Sequence, residues 1–134
     1  MKDNTVFLEE LHAFQPAKGH LAFWWLGQMG FAIKISGKLV FIDAFLSPHE
    51  RRLIPPAVDV NATHSADLVF GTHDHLDHID RQAWMLIAKA SPKTRFVVPE
   101  IHRLSVTAQL GVKAHRVVGV DEDLPAVIDD IVVK

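Results

Sequence analysis

Between Thr72 and Asp80 the chain reads THDHLDHID, which places His73, His75, Asp77 and His78 in the pattern His-x-His-x-Asp-His. A fixed pattern of three histidines and one aspartate is expected by chance about 0.003 times in a chain of this length and composition, so the cluster asks for a chemical reason. In an extended segment residues i and i+2 point the same way, so His73 and His75 are expected to converge on one cation. Asp77 and His78 come from the following turn and are expected to reach a second position nearby. All four are nitrogen or oxygen donors, which suits one or two divalent ions, zinc first and manganese next. The chain has no cysteine, which excludes a thiolate metal site, a cysteine nucleophile and a disulfide framework. Metal-bound imidazoles usually donate their second N–H to a carboxylate, and Asp43, at the end of KLVFIDAF, is the candidate for that supporting role. Arg51 and Arg52 are candidates to pair with a phosphate group on a substrate. Trp24, Trp25 and Phe31 read as core, and His102 and His115 as solvent-facing.

The elements that must position these groups form one alternating series. Phe7, Leu8, Leu11 and Phe14 at helical spacing predict a short amphipathic helix over residues 4–14, with Asp3 and Asn4 as possible caps. LAFWWLG, FAIKI and KLVFID then read as an antiparallel meander, with Gly30 and the pair Ser36-Gly37 at the turns. Residues 44–66 carry Pro48, Pro55 and Pro56 and no sustained period, which predicts a long surface loop. A loop of that length is usually functional, so a lid over a site is expected. DLVFGT is a short buried strand running straight into the histidine cluster. A helix follows over residues 80–90, capped by Asp77 or Asp80 and stopped at Ser91-Pro92. TRFVVP is the next strand, Pro99 opens a helix through Leu110, and Gly111 is placed to cap its end. VKAHRVV is then expected as a strand, and AVI and IVV as a hairpin about Asp129-Asp130. Mixed strands followed by βα alternation give an α/β (α+β) domain, a mixed sheet covered by helices on one face. Residues 1–134 read as one domain, and a hydrophobic strand at the end of the chain is expected to have further sequence to pair with or cover it.

Composition narrows the class of function. The chain has 134 residues, 49% hydrophobic and 22% charged, as expected of a globular domain. Lys plus Arg number 14 against 16 Asp plus Glu, for a formal net charge of -2, without the basic excess of a nucleic-acid surface. No apolar run approaches the roughly 18 residues that span a bilayer, and Asp3, Glu9 and Glu10 interrupt the start where a signal peptide would be apolar. A cytoplasmic protein that works on a small molecule, without nucleic acid or membrane, is the expectation.

The motif following a buried strand resembles the metallo-β-lactamase superfamily. Within it, WWLGQMGFAIKISGKLVFIDAF and GTHDHLDHID look most like the branch of L-ascorbate-6-phosphate lactonases and related hydrolases. The resemblance implies an αββα sandwich of two similar halves, of which this chain would supply the amino-terminal one. It implies that His73 and His75 bind a first metal and Asp77 and His78 a second, with Asp77 also orienting the attacking water. The remaining ligands, a third His, a bridging Asp and a last His, come from later sequence in that family. The implied activity is metal-dependent hydrolysis of a phosphorylated sugar-acid lactone such as L-ascorbate 6-phosphate. The alternatives are a phosphodiesterase or nuclease of the same superfamily, or a non-catalytic metal-binding or assembly module. A half sandwich would leave an apolar sheet face bare, so self-association through that face is expected.

Overall fold

The computed structural model describes residues 4–60 and 65–134; Asp3, a cap candidate, lies outside them. Helix α1 (Asn4–Ala13) is followed by strands β1 (Ala22–Gly27), β2 (Gly30–Ile35) and β3 (Lys38–Ile42). Then come β4 (Leu68–Phe70), α2 (Arg81–Ala90), β5 (Arg95–Pro99) and, after a single 3-10 turn at Glu100–His102, α3 (Arg103–Leu110). Strand β6 (Val117–Val120) and the hairpin β7 (Ala126–Ile128) and β8 (Ile131–Val133) complete the chain. Six strands form one mixed sheet in the order β1 to β6, antiparallel from β1 to β3 and parallel from β3 to β6.

The mixed, helix-covered sheet is the architecture expected from the alternating series. Leu11 of α1, Trp84 and Ile87 of α2 and Val106 of α3 are buried with Phe41, Val69 and Phe96 in one apolar cluster on a single face. The other face, expected to be bare, carries the terminal hairpin: Ile128 is buried with Val40, Leu68 and Val97. Asp129, at positive φ in the tight turn, ties that hairpin to the first residues of β3 and β5 through Lys38 at 3.0 Å and Arg95 at 2.8 Å.

Three expectations are corrected. VKAHRVV is not a strand along its length: Ala114–Arg116 form a 3-10 turn and β6 begins at Val117. Arg116 dictates this, since its guanidinium reaches the carbonyls of Thr94, Ala88 and Ser91 at 2.7 to 3.0 Å, filling the carbonyls at the end of α2. Trp25 is exposed rather than core, because β1 is an edge strand whose alternation turns Phe23 and Trp25 outward and Leu26 inward. His102 is half-buried rather than solvent-facing, with Nδ1 3.6 Å from Asp74.

The segment after β3 contains no strand or regular helix among its described residues, yet it is more than a surface loop. β3 and β4 run parallel, so the chain must cross over between them. This segment makes the crossing and packs as it goes, burying Ala44, Leu46, Val58 and Ala66 in the core. Its tip, around Pro48 to Pro55, stands mostly in solvent.

Candidate metal and substrate site

Strands β3 and β4 end side by side, with Ile42 opposite Phe70. The next residues of each strand therefore meet at the carboxyl edge of the sheet, where parallel sheets place their ligand sites. Asp43 stands on one side, with a buried carboxyl and a backbone φ of 46°. Gly71, Thr72 and the histidine cluster stand on the other. Gly71 lets the cluster fold back on the strand end: a Cβ there would clash with Ile79 Cγ1 and lie 3.1 Å from the His78 carbonyl oxygen.

The cluster is a compact run of turns, not an extended strand end. The His75 amide bonds the His73 carbonyl, and the amides of His78 and Ile79 both bond the His75 carbonyl. His73 and His75 are thus brought together by a tight reversal rather than by strand alternation, which corrects the stated mechanism of their convergence. The rings gather closely, with centroids 4.5 Å apart for His73 and His75 and 3.8 Å for His73 and His78.

Asp43 fixes how these rings present their nitrogens. Its carboxylate accepts from the Thr72 amide at 2.8 Å and the Thr72 hydroxyl at 2.7 Å, and lies 2.9 Å from His78 Nδ1. An Nδ1–H directed at that carboxylate leaves His78 Nε2 with its lone pair. The Thr72 hydroxyl, having donated its proton to Asp43, is an acceptor 3.1 Å from His73 Nδ1, which likewise leaves the lone pair of His73 on Nε2. One carboxylate thereby orients two imidazoles, one of them through a hydroxyl.

The donors fall into two pairs. His73 Nε2 faces His75 Nδ1 at 2.9 Å, and His78 Nε2 faces Asp77 Oδ2 at 3.7 Å. Two ligands of one tetrahedral zinc stand roughly 3.3 Å apart, given bond lengths near 2.0 Å, so both pairs are spaced to grip an ion from one side. Among the described residues no group of three or more His, Asp and Glu side chains is arranged to hold a metal ion. The donor set therefore fits a divalent cation in kind and spacing, two ligands at a time, and leaves other positions of the shell to other groups.

Sequence reasoning missed Gln28. It sits in the β1–β2 turn at a φ of 51°, and its Nε2 donates to Asp77 Oδ2 at 2.6 Å. The two are 49 positions apart in the chain, and no local pattern links them. Asp80 is the N-cap of α2 and is fully buried, accepting from the amides of Leu46, Ser47 and Ala83 and from the Ser47 hydroxyl. It ties the crossover segment to the histidine cluster.

Beside Asp77 opens a cavity of about 500 Å³, walled by the end of β1, the crossover tip and Leu76. Arg51 and Arg52 both line it but differ in role. Arg52 donates to the carbonyls of Phe45 at 2.9 Å and Ile54 at 3.3 Å and lies over the Phe45 ring, so it holds the tip in shape. The Arg51 guanidinium has no partner among the described residues.

No family model matches the chain. It is 35% identical over 112 residues to a UPF0173 metal-dependent hydrolase of Hyperthermus butylicus, covering 82% of this chain and 45% of that one. An uncharacterized protein of Mycobacterium tuberculosis is 32% identical over 124 residues, covering 84% and 32%. Among solved structures, Igni18, a metallo hydrolase from Ignicoccus hospitalis, superposes with a TM-score of 0.50 at 24% identity, covering 81% of this chain and 42% of that one. The chain spans less than half the length of these relatives. Its fold, a mixed sheet with helices, is that of part of the Igni18 metallo hydrolase.

Proposed function

We propose that this chain is the metal-binding half of a metal-dependent hydrolase acting on ester-like bonds, lactones included. The observation that carries the proposal is the two donor pairs, in each of which Asp43 directs the lone pair of one imidazole, His73 or His78. His73 and His75 would hold one divalent ion, zinc or manganese, and Asp77 and His78 a second. Bound metal supplies hydroxide near neutral pH, by lowering the pKa of its water to about 7, and polarises the carbonyl under attack.

The rest is done by the chain's own groups. Asp43 keeps the ring nitrogens of His73 and His78 directed, through Thr72 and by direct contact. Gln28 holds the Asp77 carboxylate toward His78, which keeps it in place to orient a water. The cavity beside Asp77 receives the substrate, and the unpaired Arg51 supplies a cation for an anionic group on it. A phosphorylated sugar-acid lactone such as L-ascorbate 6-phosphate is the polar limit of this class, and its support is the resemblance together with Arg51. The crossover tip is the part of residues 44–66 that would cover a bound substrate.

The test is metal uptake. The double variant His73→Ala, His75→Ala should lose at least one equivalent of zinc or manganese, read by calorimetric titration and by elemental mass spectrometry of the dialysed protein. Full stoichiometric uptake by the double variant would show that the cation sits elsewhere.

A further inference from the structure

We propose that the cavity beside Asp77 binds the apolar end of an amphiphile, an acyl or alkyl group whose one anionic group is held by Arg51. For its reaction this rests on the hydrolase reading, but the binding itself does not. Five large apolar side chains wall the cavity: Leu26, Phe45, Leu53, Ile54 and Leu76. Leu53 is 100% exposed, Ile54 61% and Leu76 55%. They come from two separate segments of the chain, so three aliphatic side chains stand in water around a single concavity. Apolar exposure gathered in this way marks a binding surface, whereas scattered single residues do not.

The exposure is imposed by the backbone. Arg52 bonds the carbonyls of Phe45 and Ile54 together, closing the segment between them into a ring that presents Leu53 and Ile54 outward. Asp80 anchors the foot of the same segment at Leu46 and Ser47. The aliphatic tip therefore cannot retract into the core without breaking these bonds.

The polar groups around the cavity favour a hydrocarbon over a sugar, and so the apolar limit of the substrate class proposed above over its polar limit. Gln28 Nε2 is committed to Asp77, His49 Nδ1 accepts from the Arg51 amide, and Arg52 is committed to carbonyls. Hydroxyls of a sugar ring placed against the five apolar side chains would lose water without gaining partners, a penalty that a hydrocarbon does not meet. Arg52 keeps its charge but is held to carbonyls, whereas the Arg51 guanidinium makes no bond to the described residues and is free to take an anionic group at the rim, which matches an anionic amphiphile.

Calorimetric titration of the protein, with chelator present to keep it free of metal, tests this with three probes: octylphosphonate, methylphosphonate and glucose 6-phosphate. Octylphosphonate should bind at least tenfold more tightly than either of the others. The variant Leu53→Ser, Ile54→Ser should erase the preference for the octyl chain, and Arg51→Ala should weaken both phosphonates by a similar factor. Both changes are at exposed positions, and circular dichroism will verify that the fold is kept. Equal affinity for the two phosphonates, an octyl preference that survives the double serine variant, or no binding by any probe would overturn the proposal. A failure of the hydrolase reading would show separately, as metal uptake untouched by His73→Ala, His75→Ala while octylphosphonate still binds.

Discussion

Asp43 stands behind the candidate ligands and reaches them through His78 Nδ1 and the Thr72 hydroxyl. Replacing such a supporting carboxylate typically costs 10- to 100-fold in metal affinity, so Asp43→Asn should weaken zinc binding by about that factor with the fold retained. Calorimetric zinc titration against the parent protein measures it, and unchanged affinity would remove Asp43 from the site. Its φ of 46° is uncommon for a residue with a side chain, and Gln28 at 51° shares the feature. Both aim their side chains at the cluster. Gly71 works by absence: Gly71→Ala drives a methyl into Ile79 and the His78 carbonyl. It should destabilise the protein by about 1–3 kcal/mol in urea denaturation, and should weaken metal binding as well, because His78 must move.

Among the elements, the crossover segment between β3 and β4 depends on Asp80 more than on any regular structure of its own. Asp80→Ala leaves the buried amides of Leu46, Ser47 and Ala83 without their acceptor and should cost about 2–4 kcal/mol by urea denaturation. Loss of order in the tip should accompany it, seen as faster amide exchange near Leu46. The terminal hairpin is pH-sensitive in a calculable direction. Asp129 is held below the usual carboxylate range by its hydrogen bond to Lys38 and by the charge of Arg95. A depressed carboxyl stabilises above its unfolded value, near 3.9, and loses that contribution as pH falls through the folded value. Amides of the hairpin should therefore lose protection against exchange below about pH 4, and Asp129→Ala should abolish that pH dependence. Lys38 is raised by the same hydrogen bond, so its contribution is full at neutral pH and fades only as pH rises through its raised value.

At the scale of the whole molecule, the hairpin shields part of the second sheet face but not all of it. Ile42, Phe70, Val97, Val120 and Val133 line an open apolar hollow that extends to Thr72 at the site edge. We propose self-association through this remaining strip, since apolar surface beside a site is normally covered. Multi-angle light scattering should report a mass above 15.0 kDa, rising with concentration. A constant monomer mass at high concentration would refute it. No helix among the described residues is long and apolar enough to cross a membrane.

The amino-acid sequence alone determined the element order, because apolar period and turn residues are local: the meander, an aspartate cap for α2 at Asp77 or Asp80, of which the structure uses Asp80, and the Gly111 cap at the end of α3 are all visible within a few residues. It also determined which residue types crowd together from His73 to His78, since their nearness is covalent. What it did not carry was orientation. The lone pairs set by Asp43 and the hold of Gln28 on Asp77 depend on strands β3 and β4 ending in register and on the β1–β2 turn reaching the same edge. The displaced start of β6, the outward Trp25 and the committed Arg52 were not legible either. The start of β6 is settled by partners distant along the chain, the carbonyls that capture Arg116, and long-range contacts of that kind leave no period or spacing to be read; Arg52 is held by nearby carbonyls, but in an irregular segment that has no period either.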